Sequence, residues 1–362
     1  MFNIKNQIRK LYTSSILGVL SLSGAWVAIL ASRGFSLAQI GFAETVFHIV
    51  SLIFEIPSGA LADVIGRKKT LVLAVIMRII SCTIMVLSNN LTMVCISIGF
   101  CALQYNFTSG SDDALAYDSM KSVDQEDYFE KYASNQLIIY RVCEGISTLA
   151  AGLSLALGYK ISYLVSIVFA VAQLAVTCSL TEVRVGEVPE YHSIFAEIKK
   201  VFIESFKFLK METKAVLLMF TNSLVGAFDI LLLFFLQAKL PQAGIPKWAL
   251  GLALLCMQTG GVLGARIILH LKNVRYRTIF AVATLIILGG IAIEHSGLYV
   301  LMTIGGFLTA LADDALQVRT NTMLQDMFPS EQRATLISIE SFTFSVIMIV
   351  LSPLAGIFFE WW

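Results

Sequence analysis

Charge is the first thing this sequence has little of. Only 14% of its 362 residues are Asp, Glu, Lys or Arg, where a soluble domain carries about 25%. Water is therefore not the main solvent of the fold. A net charge of +1 offers nothing to a polyanion, so no nucleic-acid partner is expected. The six cysteines, at 82, 95, 101, 143, 178 and 256, form no CxxC pair and have no histidine at ligand spacing. They read as small apolar fillers, with no metal, cofactor or disulfide framework expected. Catalytic signatures are missing too: there is no GxSxG or HExxH, and of the four histidines only His48 lies well inside an apolar run. An intramembrane enzyme is the remotest reading, and the chain is not expected to be one. No GxxxxGK loop is present to hold nucleotide phosphates. No short apolar region with a cleavage site precedes the first apolar run, so no removable leader is expected, and little extramembrane sequence is seen for a receptor domain.

What is abundant is apolar length. Hydrophobic residues make up 57% of the chain and the mean hydropathy is +0.78. A membrane-crossing helix needs about 20 such residues. Eleven stretches qualify: 13–31, 37–58, 70–88, 91–118, 132–157, 161–180, 214–238, 248–270, 277–294, 297–324 and 334–360. The expected class is an all-α integral membrane protein. One long connection, 181–213, divides the chain into a six-helix bundle over 1–180 and a second bundle over 214–362. That connection spaces Ile194, Phe195, Ile198, Val201, Phe202, Phe206 and Leu209 helically against lysines, as an amphipathic helix in the headgroup plane does. With the N-terminus inside, 18 of the 26 Lys and Arg residues fall in inner segments and 4 in outer ones. The N-terminus is therefore expected to be cytoplasmic. The second half is one helix short of the first, and a twelfth span beyond Trp362 is expected on symmetry.

A repeat supports that symmetry. DDAL occurs at Asp112–Leu115 and at Asp313–Leu316, an offset of 201; Ala-Gly recurs at 151–152 and 355–356, an offset of 204. Each acidic pair falls on the fourth helix of its half. Duplicated six-helix halves are a transporter architecture, with the substrate near the midplane at their interface.

The loop after the second span reads Gly59-Ala60-Leu61-Ala62-Asp63-Val64-Ile65-Gly66-Arg67-Lys68-Lys69-Thr70-Leu71. It resembles the signature loop of the major facilitator superfamily, G-x-L-a-D-r-x-G-r-k-x-x-l, between the same two helices. The resemblance implies two pseudo-symmetric bundles that rock about a cavity lined mainly by helices one, four, seven and ten. Gly59, Asp63, Gly66, Arg67 and Lys68 are then gating-loop residues. Asp63 is expected to meet the start of helix eleven at Pro329-Ser330-Glu331, with Arg67 and Lys68 adding pairing between bundles. The string Asp113 to Asp118 looks like bacterial members grouped with drug and metabolite exporters. Three departures stand out. Val64 replaces a basic residue, the matching loop Gly264–Arg277 has no Asp, and no proline lies between Gly145 and Gly152.

Ionisable residues inside a span cost about 2.5–3.5 kcal/mol on insertion scales and point to function. Glu44, His48 and Glu55 are spaced i, i+4 and i+11, within about 40° of one another on a helix. Carboxylate, imidazole, carboxylate on one line suits proton movement; neighbouring helices satisfying three polar groups is the plain alternative. Adjacent Asp112 and Asp113 point about 100° apart, so one faces the lumen while the other pairs sideways or caps a helix. Asp313 and Asp314 sit deeper, about 24 Å along their helix for Asp313. Arg141 expects Glu144 or Asp112 as partner. Asp229 and Glu340 complete the cavity candidates, whereas Arg319 and Asp326 read as snorkelling side chains. Gly260 and Gly264 form a GxxxG that close packing explains.

The expected function is secondary active transport, proton-coupled, exporting a small amphipathic or cationic compound. The alternative is an importer of a nutrient or lipid on the same fold. The expected partners are a small-molecule substrate, protons and the lipid bilayer. A monomer in a bacterial plasma membrane is expected.

Overall fold

A computed structural model describes residues 3–183, 213–271, 273–327 and 333–361, together with Ile203 and Lys207. The expected amphipathic helix of the 181–213 connection lies, for the most part, outside them. Among the described residues there are fourteen α-helices, two short 3-10 turns and no strands. Nine helices are long and apolar enough to cross a membrane, and a bent pair makes a tenth. Leu87, Val168, Leu217 and Leu285 are among many large apolar side chains left exposed on them, as a lipid-facing surface requires. This is a multi-pass membrane protein.

Two compact units are present, one taking residues 1–24 and 46–198, the other 25–45 and 199–362. The first contains α1 (Ile4–Val19), α4 (Arg67–Leu87), α5 (Leu91–Thr108), α6 (Ser111–Lys121), α7 (Phe129–Leu149), α8 (Ala151–Leu157) and α9 (Tyr159–Cys178). The second contains α2 (Trp26–Ser32), α10 (Thr213–Gln242), α11 (Lys247–Ile267), α12 (Tyr276–Glu294), α13 (Tyr299–Met327) and α14 (Arg333–Trp361). Helix α3 (Leu37–Ile65) starts in the second unit and ends in the first. Its N-terminal part, from Leu37 to Thr45, is held to α14 by backbone-scale contacts. Gly41 lies against the Ser352 carbonyl, Gly356 against the Leu37 carbonyl, and the Thr45 hydroxyl donates to Ile349 O at 3.3 Å.

Three of the expected spans before residue 181 are broken or bent where the sequence offers the backbone an alternative to the helix. The expected first span, 13–31, is two helices: α1 begins at Ile4 and ends at Val19, and α2 starts at Trp26. The break falls on Leu20-Ser21-Leu22-Ser23-Gly24-Ala25, where serine side chains compete for backbone groups. The expected span 91–118 parts between α5 and α6 at Gly110, whose φ of 73° lies in the left-handed region. The expected span 132–157 bends by 45° between α7 and α8. By contrast α10, α13 and α14 run 30, 29 and 29 residues unbroken.

Each unit has its own core. In the first, Leu11, Leu71, Leu115 and Tyr132 bury against one another. In the second, Ile268, Ile279, Ala312 and Leu316 do so, with a separate cluster around Met219 and Leu324. Helix α13 sits at the centre of the second unit, packed on α10, α11 and α12. Gly260 and Gly264 of α11 face the Phe307 and Leu311 carbonyls of α13 so closely that a Cβ would overlap them. Small residues are what let the two backbones meet.

Candidate functional site

The second unit gathers acidic side chains along the seam of α10, α12 and α13. Asp313, Gln317 and Asn321 share one face of α13 at i, i+4 and i+8. Asn222, Gly226 and Asp229 lie on α10. Gln317 Nε2 donates to Asp313 Oδ2 at 2.9 Å and reaches α10 over Gly226, where a Cβ would stand 2.8 Å from it. One turn on, Asn222 Nδ2 donates to Asn321 Oδ1 at 3.2 Å and to Glu340 Oε1 of α14 at 2.9 Å. Asp313 is 2% exposed, and its Oδ1 has no hydrogen-bond partner among the described residues. Asp229 interacts electrostatically with Asp313, Asp314 and Glu294. Asp314 presses its carboxylate on Gly261 of α11. Glu294, at the end of α12, is fully buried against Gly305, and neither carboxylate oxygen has a partner among the described residues. Four carboxylates thus share one seam of the second unit. Among the described residues, no group of side chains has the geometry to hold a metal ion.

In the first unit the break after α1 is the organising feature. Helix ends leave carbonyls without intrahelical partners, and in a membrane each must be satisfied by protein. Arg78 of α4, 8% exposed, supplies the donors: Nη1 reaches Leu17 O at 2.9 Å and Nη2 reaches Leu20 O at 3.3 Å. Gln173 of α9 accepts from the same guanidinium at 2.8 Å. Serines complete the repair. Ser21 N donates to Ser147 Oγ at 3.1 Å, and Ser147 Oγ donates to Val19 O at 3.2 Å.

The remaining candidates are dispersed. On α3, Glu44 and His48 are 9% and 7% exposed, whereas Glu55 is exposed, so the three do not share one environment. Ser51 and Asn106 lock α3 to α5 with two bonds, at 2.8 and 2.7 Å. Asp112 and Asp113 occupy the first turn of α6, where carboxylates complement the helix dipole; Asp112 Oδ1 accepts from Asp113 N at 2.9 Å. Arg141 pairs with Glu144 at 3.3 Å, and the pair is largely exposed.

Among solved structures, the nucleoside transporter NupG superposes with a TM-score of 0.76 at 15% identity, over 99% of this chain and 92% of its own. A bacterial homologue of the human lysosomal transporter Spinster, in an inward-facing and unoccupied conformation, gives 0.68 at 16% identity, over 97% and 80%. A D-xylose–proton symporter gives 0.64 at 12%, over 96% and 87%. Residues 11–112 match the family model described as Major Facilitator Superfamily. The chain has the major facilitator fold. No curated protein matches it in sequence.

Within that fold the loop after α3 is organised inside its own unit. Gly66, φ 111°, turns the chain in one residue between α3 and α4. Arg67 forms an ion pair with Asp118 of α6, donates to Ala114 O at 3.0 Å, and lies 4.0 Å from Asp63. Glu182 caps α4, accepting from Arg67 N and Lys68 N at 3.0 Å each. Gly59 faces open space. The expected partner of Asp63, at 329–331, lies outside the described residues, as does the Asp326 side chain. Arg319, at the duplicate position of Asp118, donates to Val274 O at 3.4 Å in the matching loop, so the two halves anchor their loops with opposite charge.

Two important side chains escaped sequence reasoning. Glu294 closes the expected span 277–294, just before His295-Ser296-Gly297, and was not among the candidates. Arg78 sits mid-span, where its charge was a signal: a membrane arginine needs acceptors, and a Ser-rich interruption nearby supplies carbonyls.

Proposed function

We propose that this protein is a proton-coupled secondary transporter working by alternating access, carrying a small amphipathic or cationic compound outward. The observation that carries the coupling is the carboxylate cluster of Asp229, Glu294, Asp313 and Asp314, of which Glu294 and Asp313 are buried and the other two half-buried. A protonated cluster is neutral and compatible with an apolar seam, whereas an ionised one is costly there. Gain and loss of a proton therefore favour different packings of α10, α12 and α13. His48, Asp112, Asp113, Arg141 and Glu144 are the first unit's candidates for the passage and Glu44 is a further one of the second unit, with Glu55 and Glu340 also in the candidate set. The gating role of Asp63, Arg67 and Lys68 belongs to the same reading, as do two bundles over 1–180 and 214–362, a cytoplasmic N-terminus, a bacterial plasma membrane and a monomer. Inward carriage of a polar nutrient is the second reading, favoured by the likeness to a nucleoside transporter and a xylose–proton symporter.

The test is flux in proteoliposomes with a panel of cationic dyes, nucleosides and pentoses, with and without an imposed pH gradient. One pH unit is worth about 1.4 kcal/mol per proton, so a solute moved with one proton should reach about tenfold accumulation. Accumulation on the acidic side supports exchange against protons, and on the alkaline side supports symport. Equal, gradient-independent equilibration of every transported solute would end the coupled reading.

A further inference from the structure

The first unit holds a cavity of about 380 Å³ between the N-terminal turns of α1 and α7, within the about 300–1,000 Å³ of small-molecule sites. It lies far along the chain from the carboxylates of the second unit and plays no part in the transport reading above.

Three cations line it: Lys5 and Arg9, one turn apart on α1, and Lys131 on α7. The lining contains no carboxylate, and the ion pairs seen among the described residues involve none of the three. Three cations and no carboxylate in the lining suit an anion, while Asp112 and Asp113 act electrostatically on Tyr132 from outside it. Behind the cations stands a preorganised aromatic wall. Tyr12 and Tyr132 stack with ring centroids 5.2 Å apart and planes 19° from parallel. Asn135 Nδ2 donates to the Tyr12 hydroxyl at 3.1 Å, and Gln136 Nε2 to the Tyr132 hydroxyl at 2.7 Å. Tyr132 is 1% exposed, so this wall is fixed rather than recruited.

Depth indicates where the anion comes from. The apolar run of α1 begins at Leu11 and that of α7 at Leu137. Lys5 and Lys131 each stand six residues before those starts and Arg9 two before the first, at the headgroup level where aromatic and basic residues gather. Ile4, Ile8 and Met120 give it an apolar side that inorganic phosphate has no use for and a glycerol backbone with its first methylenes does. We propose that this cavity binds the phosphate of an anionic phospholipid from the leaflet on the N-terminal side, with Lys5, Arg9 and Lys131 as its ligands.

The experiment uses the full chain in phosphatidylcholine nanodiscs, titrated with phosphatidylglycerol and read by native mass spectrometry for retained lipid. Replacing two cations in Arg9→Gln/Lys131→Gln is expected to weaken phosphatidylglycerol binding about thirtyfold, while Lys131→Arg preserves it. Lys10→Gln is the control, because the Lys10 ammonium points away to Ser179 O at 2.6 Å; it should bind as the wild type does. Thermal unfolding in phosphatidylcholine alone checks that each variant is folded, and Lys131→Gln singly replaces the double variant if that one is not. Equal phosphatidylglycerol retention by wild type and cavity variants overturns the proposal. Glycerol 1-phosphate or inorganic phosphate binding as tightly as the lipid overturns it too, assigning the site to a soluble anion.

Discussion

Arg78 and Glu294 are both ionisable, both buried, and opposite in how they are satisfied. The Arg78 guanidinium is spent on the ends of a broken helix, Leu17 O and Leu20 O, and on Gln173. Leaving a buried polar group without its partner costs about 1–3 kcal/mol. Arg78→Leu strands two carbonyls and is expected to lower stability by about that much for each, read by thermal unfolding in detergent. Arg78→Lys should recover part of the loss; a fully stable Leu variant would show that the break holds itself. Glu294 is the reverse case, a carboxylate placed in a tight cleft against Gly305 with no donor among the described residues. Structure alone gives no reason to keep it ionised, and Glu294→Gln is expected to leave the protein at least as stable while reducing proton-coupled accumulation. Glu182 shows a third use of charge. It closes the N-terminus of α4 with two bonds, and Glu182→Ala is expected to cost about 1 kcal/mol of stability.

At the scale of elements, the two halves treat the same tetrapeptide differently. Before Asp112 the chain reads Ser109-Gly110-Ser111, and before Asp313 it reads Ala310-Leu311-Ala312. Glycine at φ 73° ends one helix and starts another, so the first pair sits in the first turn of α6; alanine and leucine carry α13 straight through, where Asp313 is buried and Asp314 half-buried. Gly110→Ala meets no neighbour within 4 Å, so its cost is backbone strain alone, about 1–2 kcal/mol. Gly264→Ala would instead collide with the Leu311 carbonyl and force α11 from α13, an overpacking cost of about 1–3 kcal/mol. Gly289→Ala, with nothing within 4 Å, is the control and should be neutral or stabilising. Unfolding midpoints of the three variants separate these causes. If Gly264→Ala proves as stable as Gly289→Ala, the close α11–α13 contact is not what holds the second unit. Sequence periodicity located α10 to α14 because their apolar runs and helices coincide. It missed the breaks in the first unit because serine and glycine barely lower a hydropathy average while they redirect the backbone. The acidic seam was half legible. Asp229, Asp313 and Asp314 stand out inside spans, but Gln317, Asn222 and Asn321 become visible only when α10 meets α13.

For the whole molecule, the account rests on one cluster in the second unit holding and releasing protons while solute passes. The first unit is held by its own contacts, with Arg78 repairing the break after α1 and Glu182 capping α4. Asp313 is the member whose role is most exposed to test, being 2% accessible and held on one oxygen by Gln317. Asparagine keeps its shape and removes its titration. The decisive measurement is accumulation of a transported solute in proteoliposomes under a one-unit pH gradient, wild type against Asp313→Asn, with exchange at equal pH recorded alongside. The account predicts that the variant loses the about tenfold accumulation yet still equilibrates solute across the bilayer. Undiminished gradient-driven accumulation by Asp313→Asn would contradict it.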